Sequence, residues 1–319
     1  MYSEIEILVK NSNANNSLQK RTLPDKSKLF NDKEMTAYYL KNIVILYNPV
    51  ATGSRAADCA EKITKALVEK NIDHALFSKH WPTDFNHFTD IFIVGGDGTL
   101  NYFINHYPGI QLPLVIFNGG TGNDFHWLLY GNKSFQQQLE TALNETPKPI
   151  DIGKCNDHYF INGVGIGFEG EVAKALTGRQ KLSGKKSFFI TILKKIISYR
   201  SKNYVIHSGE FSLKGKKFLV NVSNGSRAGG GFHVAPEAKA DDGLFDIVIV
   251  DALNPFKRLR YLPVIEKGNH LQLPFIHYFH SQKIIIESNG LIQYHLDGEY
   301  AEAPKLAIEI LPVALQFRF

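Results

Sequence analysis

The stretch IFIVGGDGTLNYFINHY, residues 91–107, decides the fold. Four consecutive apolar residues, Ile91 to Val94, read as a strand buried on both faces. GGDGT (95–99) then breaks the strand, and TLNYFINHY continues with helical spacing. Strand, glycine turn, helix is the setting in which backbone N–H groups and a helix N-terminus form a phosphate site.

The same unit recurs on both sides. Upstream, IVILYN (43–48) is a strand run, NPVATG (48–53) a glycine loop, and Ala56, Ala60, Ile63 and Leu67 form one helical stripe. A short strand falls at 73–78. Downstream, PLVIF (113–117) leads into GGTGND (119–124) and helix to about residue 144. Strands alternating with helices imply a parallel α/β sheet whose ligands lie beyond the strand C-terminal ends. Three such loops converge on one sheet edge, and Thr52, Thr99 and Thr121 add hydroxyl donors. Neither standard nucleotide fingerprint fits. Gly178 to Gly184 is one residue too long for G-x-x-x-x-G-K-[ST], Lys186 stands where Ser or Thr belongs, and no G-x-G-x-x-G opens a βαβ unit.

After PKPIDIG the text changes to short strands separated by turn residues, among them HYFINGVGIG, EFSLKGKKFLVNVSNG, GLFDIVIVD, LIQYHLDGEY and KLAIEILPV. This is antiparallel β sequence, expected as a sandwich or closed sheet, interrupted by helical segments around 171–199 and 254–269. The expected division is a disordered tail over 1–40, an α/β nucleotide-binding domain over 41–150, a mainly β domain over 151–304, and final strands over 305–319 that return toward the first domain. NSNANNSLQKRTLPDKSK in the tail is polar and without period, and Met35 would serve as an alternative start.

Composition narrows the class. With 319 residues, 44% hydrophobic and 21% charged, the chain is long enough for two medium cores. The net charge of +5 is spread out, with no Lys/Arg arm of the kind that binds nucleic acid. Cys59 and Cys155, the only two cysteines, fit no zinc spacing or disulfide framework and read as small buried hydrophobes in a reducing, cytoplasmic compartment. No run approaches the ~20 apolar residues of a spanning helix. The segment LSGKKSFFITILKKIISYR (182–200) is basic and amphipathic, with Phe188, Phe189, Ile192, Leu193 and Ile196 expected on one face. It suits a membrane-contacting helix or one packed on the β domain.

NPVATG, GGDGT and GGTGNDF together resemble the diacylglycerol kinase catalytic-domain family, which includes soluble bacterial lipid kinases and the sphingosine and ceramide kinases. GGDGT alone is shared with NAD kinases and phosphofructokinases. NVSNGSRAGGGFHVAPEAKADDGLFDIVIV (221–250), INGVGIGFEGEV (161–172) and LDGEY (296–300) are similar to that family's remaining blocks, in order, so the resemblance covers 43–319. Asn118 and Gly119 stand where Pro-Ala is usual, and Glu169 where Asp is expected.

The resemblance implies an ATP- and Mg²⁺-dependent lipid kinase acting at the membrane surface, on diacylglycerol or a related lipid. An NAD kinase-like enzyme and a catalytically silent nucleotide-binding regulator are the alternatives; a homodimer is compatible with any of them. Gly95, Gly96, Asp97, Gly98, Thr99, Leu100 and Asn101 would wrap the phosphates, with Asn48, Thr52 and Thr121 lining the same pocket. Asp97 and Asp124 would hold Mg²⁺. Glu299 is the first candidate for the base that takes the acceptor proton, and Asp297 the second, although Asp297-Gly298 also reads as a plain hairpin turn. Asp242, with the main-chain oxygens of Lys239 and Leu244, would hold a structural Mg²⁺, or else form an ordinary Asp-Gly turn.

Overall fold

The computed structural model describes residues 41–49, 54–177 and 185–319, excepting the side chains of 185–188. The tail, Met35 and Thr52 lie outside the described residues. In chain order the first elements are β1 (Asn42–Tyr47), α1 (Arg55–Glu69), β2 (Asp73–Phe77), β3 (Asp90–Gly95), α2 (Asp97–His106), β4 (Leu114–Asn118), α3 (Asp124–Tyr130) and α4 (Phe135–Asn144). The strands pair in parallel in the order β4-β3-β1-β2. Every residue of β3 is buried, as an unbroken apolar run under helices on both faces should be. The residues that α1 buries are Ala56, Ala60, Ile63 and Leu67, the stripe visible in the sequence. α4 opens with a capping box, Ser134 accepting the Gln137 N–H while the Gln137 side chain accepts the Ser134 N–H.

The second half runs β5 (Lys148–Cys155), β6 (His158–Phe160), β7 (Gly163–Gly167), α5 (Phe168–Leu176), α6 (Lys185–Ser198), β8 (Lys202–Ser208), β9 (Phe211–Ser223), β10 (Phe245–Asp251), α7 (Pro255–Glu266), β11 (Ile276–Ser281), β12 (Lys283–Leu296) and β13 (Glu299–Phe317). The chain thus divides into an N-terminal α/β part and a β-rich C-terminal part. Antiparallel pairing gives the order β11-β10-β9-β7-β12-β13, with β5 also paired to β13 and β6, and β8 paired to both β12 and β9. A core of Ile, Val, Leu and aromatic side chains fills the space between, including Phe160, Ile206, Val222, Phe245 and Ile308.

The two halves share one hydrogen-bonded sheet. The end of β13 pairs in parallel with β4 at Phe317 and Leu114. Arg318 then donates to buried Asp90 at 2.6 Å, which also pairs with Lys41 at 3.2 Å, and Tyr130 donates to the Arg318 carbonyl at 2.7 Å. The chain terminus therefore stitches the second half onto the first, and the loops at the C-terminal ends of β3 and β4 face the β-rich part.

Two expectations change. Cys155 is buried, but Cys59 is only half-buried; both thiols are free, and burial pushes them up to about 12 and about 11. In α6 the buried apolar residues among those described are Ile192 and Ile196, whereas Phe189 is exposed, so the apolar face predicted from spacing is divided between core and solvent. No helix among the described residues is long and apolar enough to cross a membrane.

Candidate active site

The glycine loops after β3 and β4 are built against each other. Gly119 donates its N–H to the Gly95 carbonyl at 2.8 Å. A Cβ on Gly120 would stand 2.5 Å from the Gly96 Cα, a separation no side chain permits, so glycine is required for the loops to touch. Asn123 locks the arrangement. At φ 53° it sits in the left-handed region, accepts the Gly120 N–H at 3.0 Å and donates to the Gly120 carbonyl at 2.9 Å. Asn48 lies at the end of β1 beside Val94, its N–H 3.4 Å from that carbonyl. Thr121 is exposed on the rim.

Asp97 heads α2 and aims its carboxylate at the start of α3. Its two oxygens accept the N–H groups of Asp124 and Phe125, each at 3.0 Å. An anion on unpaired N–H groups at a helix N-terminus is favourable. Burial, reinforced by the Asp124 carboxylate, nevertheless pushes Asp97 up to about 7. The two carboxylates flank Gly122, where a Cβ would lie 3.3 Å from Asp97 Oδ2 and 3.7 Å from Asp124 Oδ2. Asp124 in turn accepts the Gly230 N–H at 2.7 Å, and its other oxygen is 3.5 Å from the Arg227 guanidinium. Arg227 stacks over Trp127 at 4.1 Å. The glycine turn 229–231 of the second half therefore closes onto the glycine loops of the first.

Asp297 and Glu299, two residues apart, have opposite surroundings. Asp297 and Gly298, both at positive φ (49° and 94°), make the two-residue turn between β12 and β13. Asp297 accepts four hydrogen bonds: from the N–H groups of Ile161, Asn162 and Gly163, at 2.9–3.0 Å, and from the Asn101 side chain at 2.9 Å. Burial raises its pKa while those donors oppose the shift. Its acceptor capacity is filled. Glu299 is exposed, and its Oε1 lies 3.1 Å from where a Cβ on Gly98 would stand, at the mouth of the GGDGT loop.

Four expected residues are held in other contacts. Leu100 is fully buried in the first core, and its N–H bonds to the Gly96 carbonyl at 3.1 Å, so it closes a helical turn and does not wrap phosphate. The Thr99 side chain is buried against Gly95. Asn101 is committed to Asp297 and to the Tyr159 carbonyl at 3.2 Å. Asp297, the second candidate base, has the contacts of an interdomain clasp.

Asp242, Lys239 and Leu244 do come together, lining a cavity of about 700 Å³ with Glu237 and His280. Asp242 accepts the Leu244 N–H at 3.1 Å. Behind it, Asp246 is buried, accepts from Tyr278, and keeps one carboxylate oxygen without a hydrogen-bond partner; burial raises its pKa. Among the described residues no group of three or more His, Cys, Asp or Glu side chains converges on a metal position.

Several residues escaped the sequence reading. Arg227 sits two positions before the glycine turn it anchors, a cation beside a glycine run that could have been noticed. Asp151 accepts the N–H groups of Gly243 and Val313, each at 2.7 Å, holding the Asp242 loop from below. His295 lies near the end of β12, two residues before Asp297 of the turn. Its Nδ1 accepts the Gly298 N–H at 3.2 Å and its Nε2 is 3.4 Å from Glu169, which accepts from Asn221 at 3.1 Å.

Two family descriptions match the chain, one after the other, from residue 42 to residue 318. "Diacylglycerol kinase catalytic domain" matches residues 42–155, and "YegS C-terminal NAD kinase beta sandwich-like domain" matches residues 162–318. A "Probable lipid kinase YegS-like" protein of Shewanella frigidimarina is 30% identical over 233 residues, covering 71% of this chain and 75% of the relative. A "Diacylglycerol kinase" of Bacillus subtilis is 26% identical over 253 residues, with 78% and 79% covered. In fold, the chain is similar to a diacylglycerol kinase structure from Bacillus anthracis, with a TM-score of 0.67 and 22% identity over 88% of this chain and 97% of that one. It is similar more distantly to an NAD kinase from Archaeoglobus fulgidus in complex with ATP, with a TM-score of 0.52 and 13% identity over 87% and 93%.

Proposed function

The chain belongs to the diacylglycerol kinase catalytic-domain family, a family of lipid kinases, and on that premise we propose that it transfers the terminal phosphoryl group of ATP to a hydroxyl of diacylglycerol or a related lipid. The observation that carries this reading is the meeting of Glu299, from the second half, with Gly98 of the phosphate loop, from the first. A free carboxylate at the mouth of a phosphate cradle is placed to take a proton from an alcohol.

Phosphoryl transfer asks the protein mainly for positioning and charge neutralisation. The Gly95–Gly96–Asp97–Gly98 turn heads α2 and would receive the phosphates, with Asn48 and Thr121 beside them. The Asp97–Asp124 pair fits Mg²⁺, since Asp97 is held near 7 by burial and a like charge that a divalent cation would offset. Bound there, Mg²⁺ would take two carboxylates, phosphate oxygens and water, and neutralise charge on the phosphates. Arg227 stands ready beside Asp124 to hold its orientation. Glu299 takes the acceptor proton as the new P–O bond forms and the bond to the ADP oxygen breaks. Asp297 keeps the turn in register. At the second position, Asp242 with the carbonyls of Lys239 and Leu244 would hold a structural Mg²⁺, and the buried unpaired oxygen of Asp246 suits a nearby cation.

The protein would work in the cytoplasm, peripheral to the membrane. Purified protein with labelled ATP, Mg²⁺, and either detergent-dispersed diacylglycerol or NAD tests the reading. Label in phosphatidic acid supports it; label in NADP would move the protein to NAD kinase chemistry, and label in neither would leave a nucleotide-binding regulator.

A further inference from the structure

α6 and α7 form a rigid pair on the outside of the β-rich half. Arg258 of α7 is buried and donates to the last carbonyls of the α6 segment, Ile196 at 3.0 Å and Tyr199 at 2.7 Å, while its own Nε bonds to the Leu253 carbonyl at 2.7 Å. The guanidinium also stacks over Phe218 at 4.6 Å. This satisfies the helix C-terminus of α6 and fixes the angle between the helices. Ile192 and Ile196 point inward to the Phe168–Phe218 cluster.

The outward side has the wrong composition for a surface that meets only water. Phe256 is 85% exposed, Ile197 60% and Ile190 52%, and Phe189 and Leu259 are exposed beside them. Single exposed apolar residues need no explanation, but five large ones on two adjoining helices mark an interaction surface. The charges there are of one sign. α6 contains no Asp or Glu, and α7 has only Glu266, its last residue. Lys194, Lys257 and Arg260 are exposed among the apolar side chains. Exposed aromatic and aliphatic tips surrounded by cations match an anionic lipid surface, where the tips enter the acyl boundary and the cations meet headgroups.

The position is apt as well. α6 packs on α5, whose first turn carries Glu169, next to His295, and His295 accepts the N–H of Gly298 beside Glu299. We propose that the outward faces of α6 and α7 are a docking surface for an anionic bilayer, which holds the enzyme with its acceptor side against the lipid. This rests on the lipid-kinase reading and adds where the membrane binds.

The full chain is sedimented with phosphatidylcholine vesicles, with and without a third of the lipid as phosphatidylglycerol, and labelled ATP turnover is followed separately on detergent-dispersed diacylglycerol. Wild type should pellet with the anionic vesicles, less in high salt, and poorly with the neutral ones. Ile197→Asp with Phe256→Asp, both at exposed positions, should weaken vesicle partition by about tenfold or more. Lys257→Glu with Arg260→Glu should weaken it at least roughly fivefold per cation. Turnover on dispersed lipid should stay as in wild type, so failure of the kinase reading would show there and not in the pellet. Equal vesicle binding by variants and wild type, or no binding by wild type, overturns the proposal. So does a wild-type dimer in sedimentation velocity that the Asp variants abolish, which would give the face to a second copy of the chain.

Discussion

Asn101 donates its side-chain amide to Asp297 at 2.9 Å, a bond between residues 196 positions apart that ties the helix after the GGDGT loop to the last hairpin turn. Asp297 also gathers three N–H groups at the entry to β7. Asp297→Asn would exchange one acceptor oxygen for a donor facing these N–H groups. The expected cost is on the order of 2–3 kcal/mol of stability, measured by urea denaturation, because buried donors left unpaired lose their partners without regaining water. Unchanged stability would show that the clasp does not hold the halves together.

Gly120→Ala should separate the nucleotide loops, since its Cβ would meet the Gly96 backbone at 2.5 Å. Neither partner is a flexible side chain, so the strain must displace a loop. Binding of ATP analogues, followed calorimetrically, should weaken by about tenfold or more while secondary structure is kept. Wild-type affinity would mean the loops do not form the phosphate site.

The fold was legible where local chemistry determines it. The strand–glycine–helix units around Gly95 and Gly119 and the stripe Ala56, Ala60, Ile63 and Leu67 follow from periodicity over a few residues. The bonding of Asp297 was not legible, because its partners Asn101, Ile161, Asn162 and Gly163 come from two other chain segments. Sequence therefore left Asp297 and Glu299 as alternatives, whereas burial separates them. Leu100 followed the motif into the phosphate list, but its side chain obeys helix geometry and enters the core. Phe189 went the other way: spacing put it on an apolar face with Ile192 and Ile196, and packing buried those two while leaving Phe189 outside.

The Asp97 carboxylate makes stability pH-dependent. Its value rises from 3.8 in the unfolded chain to about 7 in the metal-free folded protein, so between those values the folded state binds more proton. Its contribution is fully present below about 4 and is lost as pH rises through about 7. Metal-free wild type should therefore lose melting temperature between about pH 4 and 7 and Asp97→Asn should lack this part of the pH slope, while Mg²⁺ should raise the melting temperature of wild type more than of the variant. Parallel pH curves for the two would contradict the assignment.

Asp242→Ala should lower the melting temperature, and a chelator should lower that of wild type toward the variant's. Both effects are expected without loss of ATP affinity, because the Asp242 cavity is separate from the phosphate loops. Equal melting of variant and wild type, with and without chelator, would leave Asp242 as a turn residue only.

The central claim is that Glu299 handles the acceptor proton while Asp97 and the glycine loops handle the nucleotide. Glu299→Gln keeps size and polarity but removes the basic oxygen. A positioned general base contributes typically ~10²–10⁴-fold to rate. Single-turnover phosphorylation of dispersed diacylglycerol, with ATP affinity measured in parallel, tests the claim most directly. The account predicts a rate lower by about that factor with ATP affinity within about twofold of wild type. A near wild-type rate, or a loss explained wholly by weaker ATP binding, would contradict it.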